Sequence, residues 1–539
     1  MMAGSLRRQR CPSALSSAYA AVVGPLRHNQ EVLFADVVAA STEVGATRAR
    51  TAKIAALTRL LRDADAADVR PVVAWLSGSL LQERLGTGWR GVAKILDEQV
   101  AAATPSLTVA DVSSAFDELA GTAGAGSVAR RGELLGALFG RATADEQRLL
   151  VGLITGEVRH GALAGVMTDA VAHAAGVPLA TVRRAAMLSG SLPQTASAAL
   201  AGGADALAGF GLEVLRGVSP MLASPADDLP AALADLGPEV SVEFKLDGAR
   251  IQVHRNGDAV RVYTRTLRDI TDAVPEIVET AMALPCTSVV LDGESLALTD
   301  AGRPRPFQET MSRFGSAGSM EDERSVLRPF FFDCLHLDGR DLLDEPLSAR
   351  LAALEQVAGD LRIPALTRPS VEQASAHLEA ALAAGHEGVM VKGLDSPYAA
   401  GRRGRAWQKV KQSYTLDLVV LGAEWGYGRR TGLLSNLHLG ARDPDGGEPI
   451  MVGKTFKGLT DALLRWQTEE FPRHERQRSE HTVYLRPEIV VEIELDGVQR
   501  SRRYPGGVAL RFARVLRYRP DKTAAEADTI DAVRALLPG

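Results

Sequence analysis

From about residue 28 to 210 the apolar positions recur with helical spacing. Ile54, Leu57, Leu60 and Leu61 fall on one face, and Leu149, Leu150, Leu153 and Ile154 repeat the pattern. β-Branched alternation is scarce, so this stretch predicts an all-helical domain. "TGEVRHGAL" (155–163) interrupts it with two glycines flanking Arg159 and His160. Taken alone, that segment reads as a helix end with solvated charges. "GVSPMLASPADDLP" (217–230) has three prolines and no period, and reads as a linker.

After the linker the texture changes. "ARIQVHRNGDAVRVYTR" alternates apolar and polar residues about Asn256-Gly257, the strongest short hairpin signal. "TSVVLDGE" and "RPFFFDCLHLDG" are further strands ending in turns, and helical spacing returns at 345–358 and 371–384. From 414 onward, "YTLDLVVLGAEWGYG", "NLHLGARDPDGGEPIMVGKTF" and "IVVEIELDGVQRS" are strands with Gly-rich turns, a pattern that predicts a small barrel. The expected layout is a tail (1–28), an all-α N-terminal domain (29–212), an α+β domain (213–413) and a C-terminal β-barrel (414–539).

Composition agrees with several real cores: 539 residues, 46% hydrophobic and 24% charged. A net charge of -5 gives no global basic field, which leaves room for a local nucleic-acid patch. Cys11, Cys286 and Cys334 have no CxxC spacing, which argues against a disulfide framework or a four-cysteine zinc site and fits a reducing cytosol. No apolar run approaches the roughly 18 residues of a membrane span. Arg7, Arg8 and Arg10 before "CPSALSSAYAAVVGPL" faintly resemble a signal peptide. Its Ser/Ala/Pro richness favours a frayed tail, or a start placed too early.

The candidate chemistry begins in "VEFKLDGARIQVHR" (242–255). Side chains two apart on a strand share a face. Val242 and Phe244 then point to the core, while Glu243 and Lys245 point together to the other side, into a cleft or onto a solvated surface. Glu294 follows "VVLDG", Phe332 lies in an aromatic strand, and Glu387 opens "EGVMVK". In "WQKVK", Trp407, Lys409 and Lys411 share a face; two lysines there repel unless an anion lies opposite, or else guard a solvated edge strand. Together these make one inventory. Lys245 is a candidate nucleophile, Glu294 and Glu387 are carboxylates for a divalent cation, and Phe332 is a ring to stack on a base. Arg250, Arg265, Arg403, Lys409 and Lys411 are cations for phosphates. Attack by an amine on a nucleotide phosphate needs these parts. Only a neutral lysine is a nucleophile, and an ordinary one is neutral about once in 10³ at pH 7. Basic neighbours and a metal favour the neutral amine.

The ordered blocks "SPMLA", "EFKLDGAR", "YTRTLRD", "LDGE", "FFFDCLHLDG", "EGVMVK", "SPYAAGRRGRAWQKVK", "VGKTF", "RYPGGVALRFARV" and "RPDKTAAEA" resemble the ATP-dependent DNA ligases of three-domain type. The match runs from about residue 217 to 525; the helical region resembles the family's DNA-binding domain chiefly through "TGEVRHGAL". The resemblance implies a nucleotidyltransferase domain followed by an OB-fold, ATP and Mg²⁺, a lysyl-AMP at Lys245, and sealing of nicked duplex DNA by a cytoplasmic, nucleoid-associated monomer. It also implies roles. Glu243 contacts the adenine end through the strand backbone, Arg250 and Arg265 bind ribose and the nick phosphate, and Phe332 stacks on adenine. Arg403, Lys409 and Lys411 reach phosphates, Glu294 contacts the nucleotide, and Glu294 and Glu387 hold the metal. Arg511 and Arg514 of "LRFAR" resemble the motif that helps expel pyrophosphate, with Ala513 where the family usually has proline. RNA ligases and capping guanylyltransferases share the lysine chemistry, but the helical domain and "SPMLA" argue against them. The scattered cysteines cannot make the zinc module of an NAD-dependent ligase. A non-catalytic DNA-binding protein is opposed by the presence of Lys245 with both glutamates and both lysines.

Overall fold

The computed structural model describes residues 32–82, 84–158, 164–299, 303–305, 310, 326–399, 403–427 and 430–537. The expected tail, Arg159 and His160 lie outside the described residues, as does the side chain of Arg403. The chain forms two compact units, Met1–Val182 with Ser191–Gly209, and Arg183–Gly190 with Phe210–Gly539. Among the described residues no helix is long and apolar enough to cross a membrane.

The first unit is helical, as its spacing predicts. On Arg50–Asp63 the residues Leu57, Leu60 and Leu61 are buried, and on Ala144–Thr155 so are Leu150 and Leu153. Thr108 and Thr143 each accept a bond from the N–H three residues on, while the carboxylates of Asp111 and Glu146 accept from the backbone N–H of Thr108 and Thr143, satisfying donors that a helix start leaves free. The core is pinned by Phe34, Trp75 and Phe116 packed edge to face, at 5.7 and 5.9 Å between ring centroids. Gly156, left-handed at φ 71°, stops Ala144–Thr155, so "TGEVRHGAL" does begin at a helix end.

The second unit opens with two five-stranded sheets. One has the order β1 (Leu222–Pro225), β10 (Arg403–Lys411), β9 (Gly388–Gly393), β2 (Val240–Lys245), β8 (Ala365–Thr367). The other runs β4 (Ala259–Thr264), β3 (Ala249–Asn256), β5 (Ser288–Ala297), β6 (Leu327–Leu337), β7 (Arg340–Asp341). The β3–β4 hairpin turns at Gly257-Asp258, with Gly257 at φ 59°, one residue past the Asn256-Gly257 pair that marked it in the sequence. Between β2 and β3 the chain crosses from the first sheet to the second through Leu246, Asp247 and Gly248. A Cβ on Gly248 would lie 2.4 Å from the Ser295 carbonyl oxygen and 2.9 Å from Glu294 Cγ. Only glycine lets the crossing come that close to β5.

Residues 183–190 belong to this unit through packing. Met187 and Leu188 join Val218, Met221, Leu335, Tyr398 and Trp407 in one buried cluster, and Ser219 N–H donates to Met187 O at 2.9 Å. Arg184 grips Asp344 at 2.5 and 2.7 Å. Residues 214–221, which include the start of the expected linker (217–230), are strapped onto β3 and β4. Leu215 N–H donates to His254 Nδ1 at 3.1 Å, Val218 N–H donates to Gln252 Oε1 at 2.7 Å, and Tyr263 Oη donates to Leu215 O at 2.6 Å.

The C-terminal part is the expected strand-rich domain. β11 (Tyr414–Trp425) pairs with β12 (Leu434–Ala441), which pairs with β13 (Ile450–Thr455). On its other side β11 pairs with β15 (Thr482–Leu485), itself beside β14 (Glu475–Arg478), and with β16 (Val490–Leu495). β16 pairs with β19 (Arg514–Tyr518), while β17 (Gly497–Arg500) and β18 (Val508–Arg511) form a separate hairpin. They enclose a core that includes Leu418, Leu437, Val452, Phe471, Ile493 and Val515. Ala513 is buried in that core and its carbonyl accepts Thr455 Oγ1 at 2.5 Å, so the turn lacking proline is tied down by other means.

Arg350, fully buried, holds Asp333 through two bonds of 2.7 and 3.0 Å and donates to the carbonyls of Glu345 and Ser396, each at 2.8 Å. Removing one member of such a pair strands a buried charge. Arg350→Met is expected to cost about 3–5 kcal/mol in chemical denaturation. Arg59→Met, breaking the exposed Arg59–Glu43 pair, is expected to stay within ~1 kcal/mol of the parent. Equal effects would contradict this account of the second unit.

Candidate active site

The register of three strands builds the site. Lys245 on β2 pairs with Gly388 on β9, and Gly388 pairs with Lys411 on β10. The next row on the same face is Glu243, Met390 and Lys409, and the row beyond is Ser241, Lys392 and Trp407. Alternation therefore puts Glu243 with Lys245, and Trp407 with both lysines, as the sequence predicts. β10 lies between β1 and β9, so "WQKVK" is an interior strand and not a solvated edge. A Cβ at Gly388 (φ +141°) would lie 2.2 Å from Val410 O.

Glu387 supplies the anion those lysines require. Its Oε2 takes Lys245 Nζ in a short contact and Lys411 Nζ at 2.8 Å, and its N–H donates to Lys245 O at 3.0 Å. Burial would raise this carboxyl, but the two ammonium groups outweigh it and hold Glu387 below the usual carboxylate range. Lys409 is lowered, first by burial and then by the charges of Lys411 and Lys245. The C-terminal domain adds to the cluster: Asp496 lies 3.2 Å from Lys411 Nζ, and Arg511, on β18, grips Asp247 at 2.7 and 3.2 Å. Arg514 is exposed on β19, opposite Glu494.

At the other end of the face Lys392 is buried between the sheets, against Phe332 and Trp407. Lys392 Nζ sits 4.4 Å from the Phe332 ring centre and 4.3 Å from that of Trp407, and 2.5 Å from Glu243 Oε2. Ser241 Oγ donates to Glu243 Oε1 at 3.0 Å. On the second sheet Arg250 pairs in register with Glu294 and bonds Asp292 at 3.0 and 2.6 Å, with its Cζ 5.4 Å from the Phe332 ring centre. Arg265 is exposed after β4 and borders one cleft with Arg250, Thr264 and Asp292. Sequence reasoning missed Lys392, Asp292, Asp247 and Asp496. Asp292 stood in "LDGE", where period two from Glu294 would have flagged it; Lys392, in "EGVMVK", meets Glu243 only through the pairing of two strands far apart in the chain.

Glu294 differs from Glu387. Burial pushes its carboxyl up to about 7, and the opposing charges of Lys245 and Arg250 only partly offset that. Among the described residues no cluster of three or more His, Cys, Asp or Glu gathers as a metal cage. Two carboxylates suit magnesium, which keeps waters and takes phosphate oxygens for its other positions. A proton on Glu294 and two ammonium groups on Glu387 must then give way to such a cation.

Two sheets facing across a buried aromatic cluster, with a lysine at the end of the strand that crosses between them, are the parts of a nucleotidyltransferase. The family model for the ATP dependent DNA ligase domain matches residues 220–411, that for the ATP dependent DNA ligase C terminal region matches 430–522, and that for the DNA ligase N terminus matches 92–172. A probable DNA ligase of Rhodococcus jostii (strain RHA1) is 68% identical over 508 residues, covering 94% of this chain and 100% of that protein. One of Nocardia farcinica (strain IFM 10152) is 64% identical over 525 residues, covering 94% and 100%. The solved structure Pmar-Lig_PreS3 shares the fold, with a TM-score of 0.58 over 90% of this chain and 99% of that one at 17% identity. The chain belongs to the ATP-dependent DNA ligase family, enzymes that take AMP from ATP and seal DNA.

The Glu294 carboxyl is expected to titrate near 7 in the ligand-free chain, against an ordinary 4.5. Its folded value is raised, so folding stability falls as pH rises through that window, while cation affinity, which needs the carboxylate, rises. Carbon-13 NMR of labelled glutamate, with and without Mg²⁺, reads both. An inflection at the ordinary value would refute it.

Proposed function

We propose that Lys245 carries AMP and that the chain seals nicks in duplex DNA in three steps. The observation that supports this best is the row Lys245–Gly388–Lys411 gathered on Glu387, with the Glu243–Lys392 pair on the same face and Phe332 against it from the second sheet. In the first step the neutral Lys245 amine attacks the α-phosphorus of ATP. A P–N bond forms, the bond to the bridging oxygen breaks, pyrophosphate leaves, and the amine's proton passes to water. In the second, the 5′-phosphate at a nick attacks the same phosphorus; the P–N bond breaks and Lys245 regains a proton. In the third, the 3′-hydroxyl attacks the activated 5′-phosphate, a phosphodiester forms and AMP departs.

The residues divide this work. Glu243 and Lys392 offer an acceptor and a donor side by side to the adenine edge, with Phe332 against its ring. Lys409, Lys411 and Arg403 hold phosphates, and Arg250 and Arg265 reach the ribose and the nick phosphate. Arg511 and Arg514 assist departure of pyrophosphate. Glu294 and Glu387 hold Mg²⁺, which when bound spreads the phosphate charge that builds during transfer. Incoming phosphates draw Lys411 off Glu387 and free that carboxylate. Domains at 29–212, 213–413 and 414–539, acting as a monomer in the cytoplasm at the nucleoid, complete the reading.

Incubation with ATP and Mg²⁺ is expected to add one AMP mass to the peptide holding Lys245. No adduct, or an undiminished one in Lys245→Ala, would sink the proposal. Lys392→Met is expected to raise KM for ATP roughly 10–100-fold, the scale of a lost charged hydrogen bond; parallel sealing assays with ATP, GTP and NAD check that the base is read. Nick affinity is expected to fall steeply with salt despite the net charge of -5, as phosphate contacts release counterions. A flat dependence measured by fluorescence anisotropy would contradict it.

A further inference from the structure

Tyr398 stands in the block "SPYAAGRRGRAWQKVK" but has no part in the roles above. It is 2% exposed and held on several sides. Its N–H donates to Leu343 O at 2.9 Å, its ring meets Trp407 edge to face at 5.9 Å, and Arg350 Cζ lies 5.8 Å from the ring centre. Its hydroxyl makes two bonds, donating to Asp292 Oδ2 at 2.7 Å and accepting from Met221 N–H at 3.0 Å. Both partners hold Arg250. Asp292 takes Arg250 Nε and Nη2 at 3.0 and 2.6 Å, and Met221 O takes Nη1 at 2.7 Å. The four residues close a ring of hydrogen bonds in which Tyr398 touches each holder of Arg250 and not Arg250 itself.

A guanidinium has five N–H donors. Three are engaged by Asp292 and Met221, which leaves two for a ligand, and the guanidinium carbon stands 5.4 Å from the Phe332 ring centre. We propose that Tyr398 is a positioning residue for the sealing reaction, its hydroxyl fixing Asp292 and the 214–221 strap so that Arg250 presents those two N–H groups in one orientation. This rests on the proposed role of Arg250 toward the nucleotide and nick. Without the hydroxyl, Asp292 keeps Arg250 but is itself free to turn, and Met221 loses the acceptor that seats the strap. The loss would then pass entirely through Arg250.

A double-mutant cycle tests this, with kcat/KM for ATP in Lys245 adduct formation as the readout and melting temperature alongside. Tyr398→Phe keeps the ring and its packing. We expect it to stay folded with kcat/KM lowered roughly tenfold, the scale of one lost hydrogen bond in a charged network. Arg250→Met is expected to lose at least as much, and the double variant no more than Arg250→Met. Losses that multiply in the double variant, an unchanged kcat/KM in Tyr398→Phe, or failure of Tyr398→Phe to fold would each overturn the proposal, the last by assigning the hydroxyl to the fold. A wild-type chain that forms no adduct would instead overturn the reading of Lys245. An Arg250→Met protein with parental kcat/KM would remove the role of Arg250 and this inference with it, leaving Lys245 in place.

Discussion

The absence of a side chain at residue 388 is the constraint on which the site depends. Gly388 stands in register between Lys245 and Lys411, and its backbone passes so close to Val410 that no Cβ fits. With that gap, two lysines reach one oxygen of Glu387. Like charges this close are tolerated only beside an opposite charge; Lys409, lowered first by burial, is lowered further by the charges of Lys411 and Lys245. The ligand-free chain thus pairs its cations with its own carboxylates: Lys245 and Lys411 with Glu387, Lys411 also with Asp496, Arg511 with Asp247 and Lys392 with Glu243.

Those pairings also explain how a chain with net charge -5 accommodates a polyanionic substrate. The bulk charge averages over a surface, whereas the site concentrates lysines and arginines on three adjacent strands and a hairpin. Each cation now bound to a carboxylate is compensated within the chain, so the site carries no bare positive cluster before a phosphate oxygen exchanges in. Arg250 is the exception, since Asp292 is fully buried and has no other basic partner described, so that pair is a fixture of the scaffold.

Much of this was legible locally. Period two in residues 242–245 assigned Lys245 and Glu243 to one face because β2 is paired on both sides and its pleat is regular. Helical spacing marked Leu57, Leu60 and Leu61, and Asn256-Gly257 marked its hairpin. What stayed hidden depends on residues far apart in the chain. Nothing near Asp496 or Arg511 signals that they meet Lys411 and Asp247, and nothing in "WQKVK" says whether its strand is interior. The segment 217–230 read as linker because its three prolines break periodicity, yet the backbone at its start, with Leu215 just before it, is bonded by side chains of β3 and β4 that alternation alone does not single out.

The boundary between the two units is not a single cut in the sequence. The chain enters the catalytic unit at Arg183, leaves after Gly190 and returns at Phe210, so the stretch Ser191–Gly209, part of the first unit, interrupts it in sequence. Met187 and Leu188, emerging early, fill a cluster whose other members run as far as Trp407. During synthesis that cluster waits, unfinished, for more than half of the second unit to appear. A fragment beginning at Phe210 would carry every proposed nucleotide-contacting residue and still have a hole in its core.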